Sequence, residues 1–318
     1  MPTTHRERAT PGAPRAAWRR GGDARLVHAG RRAVVAAVTT IAVVTVLVLG
    51  PDANRVYAAN LIGPLRAPGE PAFIAGHRGD RSVAPENTVP AFEAAFAGGM
   101  QVVEIDVQLS LDRVAVVIHD ETLDRTTSGT GLVAEHTAAQ IRALDAGSWY
   151  SDDFVGVQVP LLTEFLDLLV GAARENTKAL LELKGFWEPD DVRRILGAIY
   201  LRGVQDRVVF ASFHLGTLQS AREVAPLIPR VIIQRDVLTD PVGFAGVYGA
   251  IAILTSPRSI EARPDLVEVM HDAGLGLLLY TLNSEERWSE ALAHGVDGIV
   301  TDRPSELDSW IAETAPGT

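Results

Sequence analysis

Residues 73–80 read FIAGHRGD, residues 102–109 VVEIDVQL and residues 114–120 VAVVIHD, three apolar runs that carry or end in ionisable side chains. Each run reads as a buried strand, and charge at a strand end sits where a barrel or open α/β enzyme keeps its active site. Glu104 and Asp106 lie two apart on one strand, so their side chains point to the same face. Converging carboxylates without a counter-charge repel, and one takes up a proton. A hard divalent cation bound by oxygen ligands removes that conflict. A half-exposed strand with its acids turned to solvent has the same spacing. A second copy, Glu182-Leu183-Lys184 closing the run Ala179 to Leu183, favours the metal. Glu182 adds a third oxygen, and Lys184 on the same face offers a positive charge to an anionic substrate.

Outward from this stretch, strand and helix patterns alternate. Asn87 caps a predicted helix over Thr88 to Ala97, with Pro90 in its first turn and Gly98-Gly99 at its end. The strand-like runs 102–109 and 114–118 are joined by Ser110 to Arg113, too short for a crossover helix. Residues 121–160 hold turn formers and read as an excursion over the barrel mouth. Helices are then expected at 163–175, 190–202, 215–224, 240–247, 263–273, 284–294 and 305–313, alternating with strands at 179–184, 207–213, 230–234, 250–254, 276–282 and 298–301. The pattern predicts parallel strands covered by helices, a TIM (β/α)8 barrel over 72–313 with a small insertion after the third strand. Nine candidate strands compete for eight places, so one early strand lies outside the barrel.

The N-terminal part differs. Residues 1–32 are rich in Arg, Pro, Gly and Ala and are expected to be disordered. Ala33 to Gly50 runs eighteen residues without a charge, about 27 Å as a helix, which suits a transmembrane anchor. Arginines flank only its N-terminal side, which places the catalytic domain outside the cytoplasm on a single-pass cell-membrane protein. Val56-Tyr57-Ala58 resembles a cleavage site, and cleavage would make the protein secreted. Residues 51–71 read as a linker and 314–318 as a C-terminal tail.

The chain has 318 residues, 47% hydrophobic and 22% charged, the balance of a folded protein. It has no cysteine, which excludes a cysteine nucleophile, disulfides and thiolate metal sites. Eight arginines against Glu7 and Asp23 give residues 1–50 a charge of +6, leaving −17 for the remainder of the total −11. So acidic a body argues against nucleic-acid binding.

His77-Arg78-Gly79, Ala84-Pro85-Glu86-Asn87-Thr88, Glu104-x-Asp106, His119-Asp120 with Leu123-Asp124-Arg125-Thr126-Thr127, and Glu182-x-Lys184 resemble, in this order, the signature of glycerophosphodiester phosphodiesterases. The similarity runs from Phe73 to near Thr301. It implies metal-dependent hydrolysis of glycerophosphodiesters to sn-glycerol 3-phosphate and an alcohol. One divalent ion, Ca²⁺ or Mg²⁺, would be held by Glu104, Asp106 and Glu182. His77 and His119 would be the catalytic acid and base, with Arg78 and Lys184 on the substrate phosphate. Glu86 and Asn87 read as structural, and Arg125, Thr126 and Thr127 as pins for the excursion. Trp149, Phe213, Tyr280 and Trp288 are candidates for lining a substrate pocket, and Asn283 for a polar contact in the mouth. A lysolipid substrate, cleaved as by a lysophospholipase D or sphingomyelinase D, is the alternative enzyme. A membrane-tethered, non-catalytic phosphodiester-binding protein and a phosphate-binding barrel isomerase are the readings from other classes.

Overall fold

The apolar runs form strands, and all but one of them pair in parallel. The computed structural model describes residues 63–172, 176–236 and 239–314. In chain order the strands are β1 (Phe73–Gly76), β2 (Val102–Leu109), β3 (Ala115–Val117), β4 (Lys178–Leu183), β5 (Val208–Ser212), β6 (Arg230–Gln234), β7 (Ala252–Thr255), β8 (Gly276–Leu279) and β9 (Gly298–Thr301). Their lateral order is β1-β9-β8-β7-β6-β5-β4-β2-β3, and β1 also pairs with β2. Eight parallel strands therefore close on themselves, as a TIM barrel does. β3 is the strand left over. It pairs antiparallel with β2, Val107 opposite Val117, because the tight turn at 110–113 can only fold the chain back.

Side-chain alternation sorts the residues into two layers. Phe73, Ala75, Val102, Leu180, Val209, Val231, Ile233, Leu278 and Val300 cluster inside the barrel. Their neighbours Ile74, Val103, Ile105, Leu181, Phe210, Ile232, Leu277 and Ile299 pack outward with helical residues such as Phe165, Trp187, Ile195 and Trp288. Strands buried on both faces explain why the runs are apolar throughout rather than alternating.

The helices are α1 (Val89–Ala97), α2 (Ala138–Arg142), α3 (Leu162–Gly171), α4 (Pro189–Leu201), α5 (Leu215–Val224), α6 (Pro241–Tyr248), α7 (Pro257–Ala262), α8 (Leu266–Asp272), α9 (Glu285–His294) and α10 (Pro304–Thr314). Of the helix expected over 263–273 the structure keeps α8, Leu266–Asp272, and a short helix not expected from the sequence, α7, occupies Pro257–Ala262 before it. Pro264 forces Arg263 into extended backbone, φ −145°, and separates α7 from α8. The excursion after β3 has a small core of its own, in which Val116, Ile118, Leu123, Val133, Ile141 and Val159 bury one another.

The expected linker differs at its described end. Leu65 packs against the inner barrel cluster, and Arg66 N–H donates to Asp297 Oδ1 at 2.9 Å. The stretches expected to be a disordered head (1–32) and a membrane anchor (33–50), with residues 51–62 and 315–318, lie outside the described residues. Among the described residues no helix is long and apolar enough to cross a membrane.

Candidate active site at the barrel mouth

Strand register brings the three acids together. In the parallel pair β2–β4, Asp106 stands beside Glu182, while Glu104 lies two residues back on the same face of β2. One carboxylate oxygen from each of the three lies within 4.8 Å of the others, and all three residues are buried. Arg78 N–H donates to Glu104 Oε2 at 2.9 Å, Asn87 Nδ2 to Asp106 Oδ2 at 2.8 Å, and Lys184 Nζ pairs with Glu182 Oε1 at 2.9 Å. Among the described residues Asp106 Oδ1 has no hydrogen-bond partner, and Lys184 Nζ stands 3.5 Å from it.

Burial and mutual repulsion govern their electrostatics. Burial, with the charges of Asp106 and Glu182, pushes Glu104 well above the usual carboxylate range. Burial and Asp106 push Glu182 up to about 7. Burial acts the same way on Asp106, but Arg78 and Lys184 pull it below its ordinary value. An orphaned buried oxygen at the meeting point of three hard oxygen donors suits a divalent cation such as Ca²⁺ or Mg²⁺.

The two histidines reach the same mouth. His77 follows β1, and its backbone N–H donates to the backbone oxygen of Thr301, the last residue of β9, at 2.9 Å. Its Nδ1 lies 2.6 Å from Asp302 Oδ1. His119 follows β3, and its Nδ1 lies 2.6 Å from Asp120 Oδ1. A carboxylate on Nδ1 fixes the proton there in the neutral ring and leaves Nε2 with a lone pair. Burial pushes both imidazoles below their ordinary value, opposed at His77 chiefly by Asp302 and at His119 chiefly by Asp106. Gln108 Nε2 donates to the backbone oxygens of Ile118, His119 and Asp120, which ties the histidine segment to β2.

Arg78 is held in left-handed backbone, φ 61°, a conformation that costs roughly 1–2 kcal/mol for a residue with a Cβ. That turn is what aims its N–H at Glu104. Its guanidinium pairs with Glu86 at 2.5 Å and with Asp106 Oδ2 at 3.2 Å, and Nε donates to His77 Nε2 at 3.2 Å. Lys184 bridges Glu182 and Asp106. All seven residues singled out from the sequence, His77, Arg78, Glu104, Asp106, His119, Glu182 and Lys184, thus gather at one end of the barrel.

Other roles change. Asn87 does not cap α1: the cap is Thr88, and Asn87, φ 57°, clamps Asp106 through both its Nδ2 and its Oδ1. Arg125 reaches Glu86 and Asp120 rather than pinning the excursion alone. Trp288 is core: it is buried, donates to Leu282 O and packs on Trp310. Phe213 and Tyr280, one residue beyond β5 and β8, meet edge to face at 6.0 Å. Asp302, Arg81 and the partnership of Asp120 with His119 went unassigned in the sequence. Asp302 carried one signal, its place two residues beyond the inward-facing Val300. Asn283 holds it, Nδ2 donating to Asp302 Oδ2 at 2.7 Å.

Residues 77–306 match the glycerophosphoryl diester phosphodiesterase family. A glycerophosphodiester phosphodiesterase of Caldanaerobacter subterraneus subsp. tengcongensis is 33% identical over 237 residues, covering 74% of this chain and 96% of that protein. The crystal structure of a glycerophosphodiester phosphodiesterase from Agrobacterium tumefaciens aligns with a TM-score of 0.66 at 32% identity, over 75% of this chain and 100% of that one. A phosphodiesterase from Oleispira antarctica, solved in complex with the product sn-glycerol-3-phosphate, aligns at 0.70 and 27% identity, over 76% and 96%. Barrel, mouth and matches agree, and the chain belongs to the glycerophosphoryl diester phosphodiesterase family as an enzyme that hydrolyses glycerophosphodiesters.

Proposed function

We propose that this hydrolysis requires one divalent cation, Ca²⁺ or Mg²⁺, held by Glu104, Asp106 and Glu182, and that His77 and His119 move the protons. The buried trio, with an Asp106 oxygen that accepts no hydrogen bond among the described residues, carries the reading. When bound, the cation offsets charge developing on the phosphoryl oxygens. Lys184 and Arg78 hold the phosphate beside it. One histidine, with Nε2 unprotonated, accepts the proton of the attacking hydroxyl or water, and the other, protonated, gives one to the leaving alcohol. Asp302 and Asp120 keep the rings in the tautomer these roles need. sn-Glycerol 3-phosphate is the expected product, in keeping with the ligand of the Oleispira relative.

Turnover of glycerophosphocholine by His77→Ala and His119→Ala tests this. Each variant is expected to lose about 10²-fold or more in kcat, the scale of general acid or base catalysis. Near-wild-type rates in both would remove histidine from the chemistry.

A lysolipid substrate is the second reading. It is supported by Phe186 and Phe213, about half exposed beyond β4 and β5, and by the apolar segment 33–50, which would hold an extracytoplasmic catalytic domain at the cell membrane. Faster cleavage of lysophosphatidylcholine than of glycerophosphocholine favours it, and the reverse order excludes it as the main activity. Protease accessibility of the catalytic domain on intact cells tests the membrane placement.

A further inference from the structure

Glu86 lies in the loop after β1 with its side chain 1% exposed, yet three guanidinium groups reach it. Arg78 Nη1 stands at 2.5 Å, Arg81 Nη2 at 2.8 Å and Arg125 Nη2 at 2.7 Å, with Arg125 Nη1 donating to the other oxygen at 3.1 Å. Each arginine continues to another carboxylate. Arg81 Nη1 is 3.4 Å from Asp302 Oδ1, the partner of His77. Arg125 Nε is 2.7 Å from Asp120 Oδ2, and Asp120 is the partner of His119. Arg78 Nε is 3.2 Å from Asp106 Oδ2. The two histidines are therefore joined end to end through Asp302, Arg81, Glu86, Arg125 and Asp120.

Stability alone is a poor reason for such a hub. Stripping water from a carboxylate and its guanidinium partners costs much of what their attraction returns, and apolar replacements of similar volume are often no worse. What the hub does specify is geometry. Glu86 sits in the loop after β1, and its arms through Arg81 and Arg125 end on the loops after β9 and β3, which no strand pairing fixes relative to one another beyond the strand ends. Proton transfer at both ends of one substrate needs both imidazoles aligned, and small misplacements of reacting groups are expensive.

On the reading that His77 and His119 act as acid and base, we infer that Glu86 is a positioning residue that sets the relation between the His77–Asp302 and His119–Asp120 pairs, through Arg81 on one side and Arg125 on the other. Acting through these two arginines, it bears on the alignment of the imidazoles rather than on substrate contact. Its effect therefore belongs in kcat rather than in KM.

The test is steady-state kinetics on glycerophosphocholine by the full chain, cation supplied, for Glu86→Gln, Arg81→Gln, Arg125→Gln and the double variants with Glu86→Gln. Glu86→Gln is expected to lower kcat by about 10-fold or more with KM changed less than about threefold. Each arginine variant lowers kcat alone but adds less than about twofold to the loss in the Glu86→Gln background, since the link it belongs to is already cut. The Arg125 side chain is 42% exposed, so Arg125→Gln keeps the comparison open if Glu86→Gln folds poorly. Wild-type kcat in Glu86→Gln overturns the inference. A loss carried by KM does so too, by tracing to Arg78 and substrate grip, as do losses that multiply independently. His77→Ala and His119→Ala, measured alongside, separate the two levels: full activity in both removes the underlying acid–base reading, whereas their loss with an unimpaired Glu86→Gln removes the positioning role alone.

Discussion

Asp302 Oδ1 lies 2.6 Å from His77 Nδ1 although 225 residues separate them in the chain. Barrel closure makes the pair: β1 lies against β9 in register, Gly76 beside Thr301, so the residues that follow the two strands meet. Asp302 is held down to about 2, burial being outweighed by the hydrogen bond and charge of His77 together with Arg81 and Asn283. It is ionised at any working pH. Asp302→Asn is expected to leave the circular dichroism unchanged and to lower kcat for glycerophosphocholine by about 10-fold or more, since the ring loses its orienting charge. An unchanged kcat would mean that His77 needs no partner.

Cation binding is expected to release protons near neutrality. Burial, with Asp106, holds Glu182 up to about 7, and Glu104 is also raised, yet both must ionise to ligate. Calorimetric titration with Mg²⁺ or Ca²⁺ in buffers of different ionisation enthalpy reads this directly. Release should be larger at about pH 6.5 than at about pH 8, where Glu182 is already ionised. Pure buffer independence at both values would place the cation elsewhere.

The same carboxyls set how the metal-free protein responds to pH. A carboxyl whose folded value is raised binds more protons folded than unfolded, so its contribution to stability falls as pH rises from the unfolded value towards the folded one. The depressed carboxyls of Asp106 and Glu86 are ionised in both states near neutrality and add no slope there. His77 and His119, lowered by burial, act the other way, an effect that fades as pH rises past about 6.5, their unfolded value, while the raised carboxyls go on losing protons. Between about pH 6.5 and 7.5 the metal-free Tm should therefore decline, and saturating cation should flatten that decline. A rise over this window would contradict the raised carboxyls.

Gly79 separates Arg78 from Asp80 at φ +88°, and a Cβ there would lie 2.8 Å from the backbone and Cβ of Ala91 in α1. Gly79→Ala is expected to destabilise the protein by about 1–3 kcal/mol and to lower activity, because the turn that aims Arg78 shifts with it. Chemical denaturation provides the measure. A variant of wild-type midpoint would show that the first loop yields freely.

How much of this was legible in the chain follows from the range of each interaction. Glu104 and Asp106 share a face through local geometry, and the parallel register carries that face to Glu182, so the acid trio could be read from spacing and apolar runs. The leftover strand was signalled by the short turn at 110–113, which only an antiparallel return can use. Pro264 was visible too, and the helix expected from 263 starts only after it, at Leu266, while α7 before it is too short to show a helical period. Asn87 looked like a cap because capping is local, whereas its bond to Asp106 depends on the loop's left-handed backbone. The chain from Asp302 through Arg81, Glu86 and Arg125 to Asp120 depends on which loops the closed barrel brings together. No spacing in the sequence encodes that.

The most direct measurement is release of sn-glycerol 3-phosphate from glycerophosphocholine by the purified full chain, first in excess chelator and then with Ca²⁺ or Mg²⁺ restored, alongside Asp106→Asn. Three buried acids, with an Asp106 oxygen that accepts no hydrogen bond among the described residues, predict negligible release in chelator, recovery with one ion bound per chain, and no recovery in Asp106→Asn. Undiminished release in chelator, or full recovery in Asp106→Asn, would contradict the account.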